Sequence, residues 1–310
     1  MAEVLLSIGY DTEKPYGELA RTAEGSAMRR EQIRFDKRLI EELDSLGAPR
    51  TFFMLGDYLQ VAAREYSHDE LRAVYNPCNP LSDIQSHTYS HCVVRNISGR
   101  DDKKPLTVED FEADLIMANK CLKDILGVDV SGLRMPLGYD SDFSDMPGIL
   151  GVLRRQGFVY VSSNLREKGA IRSTVTTKRQ PHTYEHVGFP DLAEIPSHGW
   201  ADAIFTEDYC KRYGHRKIGS LGARDHYVSL ISLAKDLSVK HEQDIYVSLC
   251  LHPWAVREFD SDFGVHRAIV SHLRNVGGKI ITYSDVSNRI KRLLGSSTAA
   301  SQNNEIPIQA

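Results

Sequence analysis

The chain has 310 residues, of which 41% are hydrophobic and 26% charged, with a formal net charge of -4. That is the composition of an ordinary globular protein, and it lacks the basic excess that would point to nucleic acid or an anionic membrane surface. No apolar run approaches the roughly 20 residues needed to span a bilayer.

Short apolar segments alternate with longer amphipathic ones along the chain. Val4–Ile8 reads as a first strand, and the start lacks the basic n-region of a signal peptide, which implies a cytoplasmic protein. Met28–Leu46 has the helical period, Thr51–Leu55 reads as a strand, and a short helix is expected near Leu59–Glu65. Asp83–Ser86 ends a third strand. Thr107–Leu126 reads as a helix with Thr107 as N-cap, Asp110 as the third-position acid and Gly127 as the stop. Gly132–Met135 (strand), Met146–Gln156 (helix) and Val159–Ser163 (strand) follow.

The stretch Leu165–Tyr184 is polar and basic, with Arg166, Lys168, Arg172, Lys178 and Arg179, and reads as a solvated loop. Leu192–Ile195 reads as a strand, Arg224–Val239 as a helix, and Asp244–Leu251 as a strongly apolar strand. Phe263–Val276 (helix), Lys279–Thr282 (strand) and Asp285–Leu294 (helix) complete a single domain over residues 1–294. The polar tail 295–310 is expected to be disordered.

Repeated strand–helix units imply a parallel sheet, and seven or eight strands favour a barrel. A doubly wound sheet is the alternative, but no GxGxxG follows the first strand. The five cysteines, Cys78, Cys92, Cys121, Cys210 and Cys250, are odd in number and share no CxxC spacing, consistent with reduced thiols.

Active sites of parallel barrels lie at the carboxyl ends of the strands. Reactive side chains collect at those ends here: Asp11 and Glu13 after the first, His87 and His91 after the third, Arg134 in the fourth. Glu194 and His198 lie near a later end, and His252 follows the Tyr246–Leu251 run. The i, i+4 spacing of His87 and His91 would put both imidazoles on one face of a helical turn. Two imidazoles and a carboxylate make a three-ligand metal site with an open position for water. In a chain with 12 histidines a close pair can also arise by chance.

In order, the segments Tyr10-Asp11-Thr12-Glu13, His87-Thr88-Tyr89-Ser90-His91, Arg134-Met135-Pro136-Leu137-Gly138, Gly157–Ser163 and Leu249-Cys250-Leu251-His252-Pro253 resemble the five motifs of the polysaccharide deacetylases, the NodB-homology group of carbohydrate esterases. The resemblance covers roughly Val4 to Thr282. It implies a distorted (β/α)7-8 barrel and a divalent metal, most commonly zinc, with cobalt, manganese or nickel as alternatives. His87 and His91 would be ligands, Arg134 would orient the catalytic carboxylate, and His252 would be the general acid. In a strand, residues i and i+2 share a face, so either Asp11 or Glu13 could reach the metal. The resemblance favours Asp11 as base and Glu13 as ligand. Val161 stands where similar sequences often carry Asp, which implies an altered surrounding for Arg134.

The substrate implied is an acylated amino sugar, glycan or glycan precursor. Tyr16, Tyr139, Trp200 and Trp254 are candidate stacking faces, and the backbone amide of Tyr139 is a candidate oxyanion donor. Two rivals remain at this stage. One is a hydrolase of the same fold acting on a small cyclic amide or ureide, with or without metal, and the other is a non-catalytic glycan-binding barrel. Homo-oligomerisation stays open.

Overall fold

The computed structural model describes residues 2–97, 102–166, 172–200, 202–207, 211 and 219–302. Its elements alternate as expected. Strand β1 (Val4–Thr12) leads to α1 (Ala23–Ser45), β2 (Arg50–Met54), α2 (Gly56–Ala62), α3 (His68–Tyr75), β3 (Ser82–Ser86), α4 (Val108–Leu126), β4 (Gly132–Tyr139), α5 (Pro147–Arg155) and β5 (Tyr160–Asn164). Three short strands and one longer one follow, β6 (Arg172–Ser173), β7 (His182–Tyr184), β8 (Phe189–Glu194) and β9 (Gly199–Trp200). The chain continues through α6 (Gly219–His241), β10 (Ile245–Leu251), α7 (Pro253–Phe259), α8 (Gly264–Asn275), β11 (Lys279–Ile280) and α9 (Tyr283–Gln302).

Capping explains the sharpest boundaries. Thr22 opens α1 by accepting from the Gly25 amide at 3.0 Å, and Thr107 opens α4 by accepting from Asp110 at 3.1 Å. Gly127 ends α4 with φ 76°, where a side chain would be strained. The Leu59–Glu65 expectation is corrected to α2, three residues earlier. The last helix continues to Gln302, so residues 295–302 of the segment expected to be disordered are helical, while 303–310, like Lys168 and Cys210, lie outside the described residues.

The parallel strands run in the order β10-β1-β2-β3-β4-β5-β8, with β7 antiparallel on β8 and β11 added beside β1. Alternation sorts their side chains. On β1, Leu6, Ile8 and Tyr10 join the core under the helices, whereas Leu5 joins an inner cluster with Phe53, Tyr160, Ile195, Tyr246 and Tyr283. The backbone ladder does not join β8 to β10. Side chains bridge that gap. The Gln180 carboxamide accepts from Tyr246 N at 2.8 Å and donates to Tyr246 O at 3.3 Å, as a neighbouring strand would. One step on, His198 N donates to Ser248 O at 2.7 Å and its ring Nδ1 accepts from Ser248 N at 3.1 Å. The distorted barrel is thus closed by residues from the basic stretch and from the segment after β8. His198 is a structural residue in this setting, and burial lowers its pKa to about 4.

Candidate metal centre

The inner face of β1 ends in Asp11, and Glu13 follows it. Both are buried, at 3% and 6% exposed. His87 leaves the end of β3, and its Nδ1 donates to the Arg134 carbonyl at 2.9 Å, which turns Nε2 toward Glu13 at 3.3 Å. His91 Nε2 lies 2.5 Å from the same Glu13 oxygen. The ligating atoms of Glu13, His87 and His91 all fall within 4.8 Å of one another.

The turn that joins the two histidines is not helical, which corrects the expectation from their spacing. Thr88 and His91 both take left-handed backbone, at φ 66° and 58°, a conformation that costs a non-glycine residue about 1 kcal/mol or more. External groups hold it. Asp114, on α4, accepts from Tyr89 N at 2.7 Å and Ser90 N at 3.1 Å. Gly56 N and Asp57 N donate to the Thr88 and Tyr89 carbonyls, each at 2.9 Å. A Cβ on Gly56 would meet the Tyr89 ring at 2.7 Å, so glycine is what lets this turn approach α2.

Asp11 stands beside this set, with Oδ2 3.9 Å from His87 Nε2. Its Oδ1 accepts from Arg134 Nη1 at 3.2 Å. Arg134 is fully buried between the Phe53 and Tyr283 rings, and its Nη2 donates to the Tyr283 hydroxyl. Tyr283 in turn donates to the Leu249 carbonyl at 3.0 Å. A Cβ on Gly9 would stand 2.7 Å from the Arg134 guanidinium, so the missing side chain there gives the arginine its path across β1. Val161 lies on the other face of β5, in the outer core with Leu133, Met135 and Leu192, and does not border the centre. The buried carboxylate at that strand end is Glu194, which accepts from Ser163 N and Oγ, both at 2.8 Å, from Asn164 N at 2.9 Å and from Tyr184 at 2.6 Å.

His252 completes the ring, with Nε2 3.8 Å from Glu13 and 3.9 Å from Asp11. Its Nδ1 is held at 2.7 Å by Asp202, which also accepts from the His252 amide at 2.5 Å. Burial lowers the His252 pKa, but the Asp202 carboxylate, with Glu13 and Asp11, outweighs it and raises the value to about 9. Burial likewise works against ionised Glu13, yet the facing His91 and His87 rings hold it well below the usual range. Burial lowers His91, despite Glu13.

A divalent ion fits this donor set. One carboxylate and two imidazoles converge, the His87 tautomer leaves Nε2 facing inward, and zinc sites are made of such ligands. The second carboxylate is occupied by a guanidinium. Asp114, Asp202 and Tyr283 went unrecognised in the sequence. They come from elements far along the chain, and no local pattern marks them.

The aromatic candidates divide. Tyr16 stacks on the His91 ring at 4.6 Å, and Trp254 lies 5.5 Å from His252 with Lys14 Nζ 3.5 Å from its own ring. Tyr139 is corrected as a stacking face: it is 3% exposed, and its hydroxyl accepts from Val94 N at 2.9 Å. Trp200 stacks on His226 at 4.7 Å and on Phe205 at 6.1 Å. Arg179, expected in a solvated basic loop, turns inward to donate to the Ser197 and Asn164 carbonyls.

Residues 32–153 match the polysaccharide deacetylase family model. No curated protein matches the sequence. Among solved structures, one assigned as a polysaccharide deacetylase from Mycobacterium smegmatis superimposes with TM-score 0.59 at 18% identity, over 94% of this chain and 91% of that one. Another so assigned, from Pseudomonas aeruginosa PAO1, gives 0.56 at 14%, over 94% and 92%. Puue allantoinase gives 0.59 at 14%, over 93% and 90%. At these identities the likeness is one of fold. No helix among the described residues is long and apolar enough to cross a membrane.

Proposed function

We propose that this protein is a metal-dependent deacylase that removes an N-acyl group, with acetyl the first choice, from an amino sugar or glycan precursor. The observation that carries this reading is the division of labour at one end of the barrel. Glu13, His87 and His91 converge as a ligand set, while Asp11 on Arg134 and His252 on Asp202 flank it as separately held proton-transfer groups.

A divalent ion held by Glu13, His87 and His91 supplies Lewis acidity toward the substrate carbonyl and toward water. The protein's own groups do the rest. Arg134 fixes Asp11 through Oδ1, leaving Oδ2 to take the proton of the attacking water. The Asp202 carboxylate favours the protonated His252 ring, so Nε2 can donate to the departing amine nitrogen. Asp202 keeps the Nδ1 proton in place and stabilises the imidazolium. The neutral amine then leaves without passing through an unprotonated amide anion.

A small cyclic amide is the second reading. The observation in its favour is enclosure, since the Glu13, His87 and His91 side chains are only 7%, 1% and 3% exposed and Tyr16 covers His91. The test is acetate release from N-acetyl amino sugars, single and oligomeric, by metal-stripped and zinc-loaded protein. Zinc-dependent acetate release supports the proposal. Turnover of ureides alone, unaffected by stripping, would replace it with the second reading.

A further inference from the structure

We propose that Asp11, Cys250 and His252 form a second divalent-cation site, which takes a thiophilic ion such as zinc and shuts off turnover when filled. Alternation along β10 places Ser248, Cys250 and His252 on its inner face, so the Cys250 thiol enters the same chamber as the first ligand set. Cys250 Sγ donates to Asp11 Oδ2 at 3.4 Å, and His252 Nε2 stands 3.9 Å from the same oxygen. The ligating atoms of all three residues fall within 4.8 Å of one another.

Bonds of about 2.0 Å to nitrogen or oxygen and 2.3 Å to sulfur, set tetrahedrally, separate the donor atoms by roughly 3.3–3.5 Å. The observed separations need only small movements to meet that. Arg134 occupies the other oxygen of Asp11, so Oδ2 is the one directed at Cys250 and His252. Cys250 and His252 are partly exposed, which leaves an approach for the ion. Two ions roughly 3.5–4 Å apart are an established arrangement in hydrolases.

The sulfur decides which ions bind. Thiolate ligation selects zinc-like ions over magnesium or calcium. On binding, the Cys250 S–H proton and any proton on His252 Nε2 pass to solvent as the sulfur–metal and nitrogen–metal bonds form, and His252 keeps its Nδ1 proton on Asp202. No electron is transferred. Binding stands on the geometry alone. The loss of turnover rests on the proposed roles of Asp11 and His252 as base and acid, since the ion would engage both.

The test is titration of the metal-free full-length protein with Co²⁺, followed by absorbance. The first equivalent, on Glu13, His87 and His91, has no sulfur ligand. The second should bring a near-ultraviolet sulfur-to-cobalt charge-transfer band. Cys250→Ser should lose the band and the second equivalent while keeping the first, which also shows that the variant is folded. Cys250→Ala serves if the serine variant fails that check. In turnover, zinc beyond one equivalent should inhibit wild type, and the half-inhibiting concentration should rise more than about tenfold in the variant, since even outer-shell changes cost that much. A single equivalent without the band, or a band that survives in both Cys250 variants, overturns the site. Two equivalents with the band but undiminished turnover overturn the inhibition and, with it, the acid–base roles, while the deacylase reading remains to be judged by acetate release.

Discussion

The carboxylates at the rim of the barrel and those in its frame are held in opposite ways. In the frame, Asp36 accepts from Gln32 at 2.7 Å and Tyr75 at 2.8 Å, and burial still pushes its pKa up to about 7. Asp83 accepts from Thr51, Gln85 and Ser284, Glu194 from Ser163, Asn164 and Tyr184, and burial raises both. Neutral donors do not offset the cost of burying an ion. At the rim, Glu13 faces two imidazoles and is held well below the usual range, and Asp11 faces a guanidinium. Frame carboxyls drift toward neutrality and serve as hydrogen-bond hubs, whereas the rim concentrates charge that suits a cation.

The largest way to break this contrast is to remove a ligand. His91→Ala should abolish tight zinc binding and lower turnover by more than about 10⁴-fold, beyond the loss of a single acid–base group. Equilibrium dialysis and acetate release on the same preparation check this. Next, His252→Ala should cost about 10²–10⁴-fold in kcat while the first zinc equivalent still binds. Loss of both together would make His252 a primary ligand instead.

A smaller effect is expected one layer out. Asp114→Ala removes two hydrogen bonds that hold the left-handed His87–His91 turn, and zinc affinity should fall about 10- to 100-fold. Competition against a chromophoric chelator measures it. The smallest effect lies in the frame. A raised Asp36 pKa means the folded state keeps a proton that the unfolded chain, with a pKa near 3.9, has released. Its stabilising contribution is therefore full below about pH 4 and is lost as pH rises toward about 7. Asp36→Asn should flatten that part of the stability profile in urea unfolding and leave zinc affinity unchanged.

Much of the barrel was legible because its signals are local. The caps at Thr107 and Gly127 mark α4 directly, and the apolar run before His252 marks β10. Residues Glu13, His87 and His91 converge in the structure as a candidate metal-ligand group. What escaped reading depends on distant partners. Helical spacing suggested a helix for His87–His91, but Asp114 and Gly56 impose a strained turn. Val161 looked like a missing acid at the site because sequence alone does not assign faces at a strand end, and the structure turns it outward. Closure by Gln180 and His198 uses side chains in place of a strand, so no strand signal exists to be found.

The most direct test of the central claim is a crystal structure of the protein loaded with one equivalent of zinc, with anomalous data collected across the zinc edge. One peak is expected about 2.0–2.2 Å from Glu13, His87 Nε2 and His91 Nε2, with Asp11 still on Arg134. A peak bound to Asp11 with Glu13 turned away, or zinc bound elsewhere with these three residues unliganded, would contradict it.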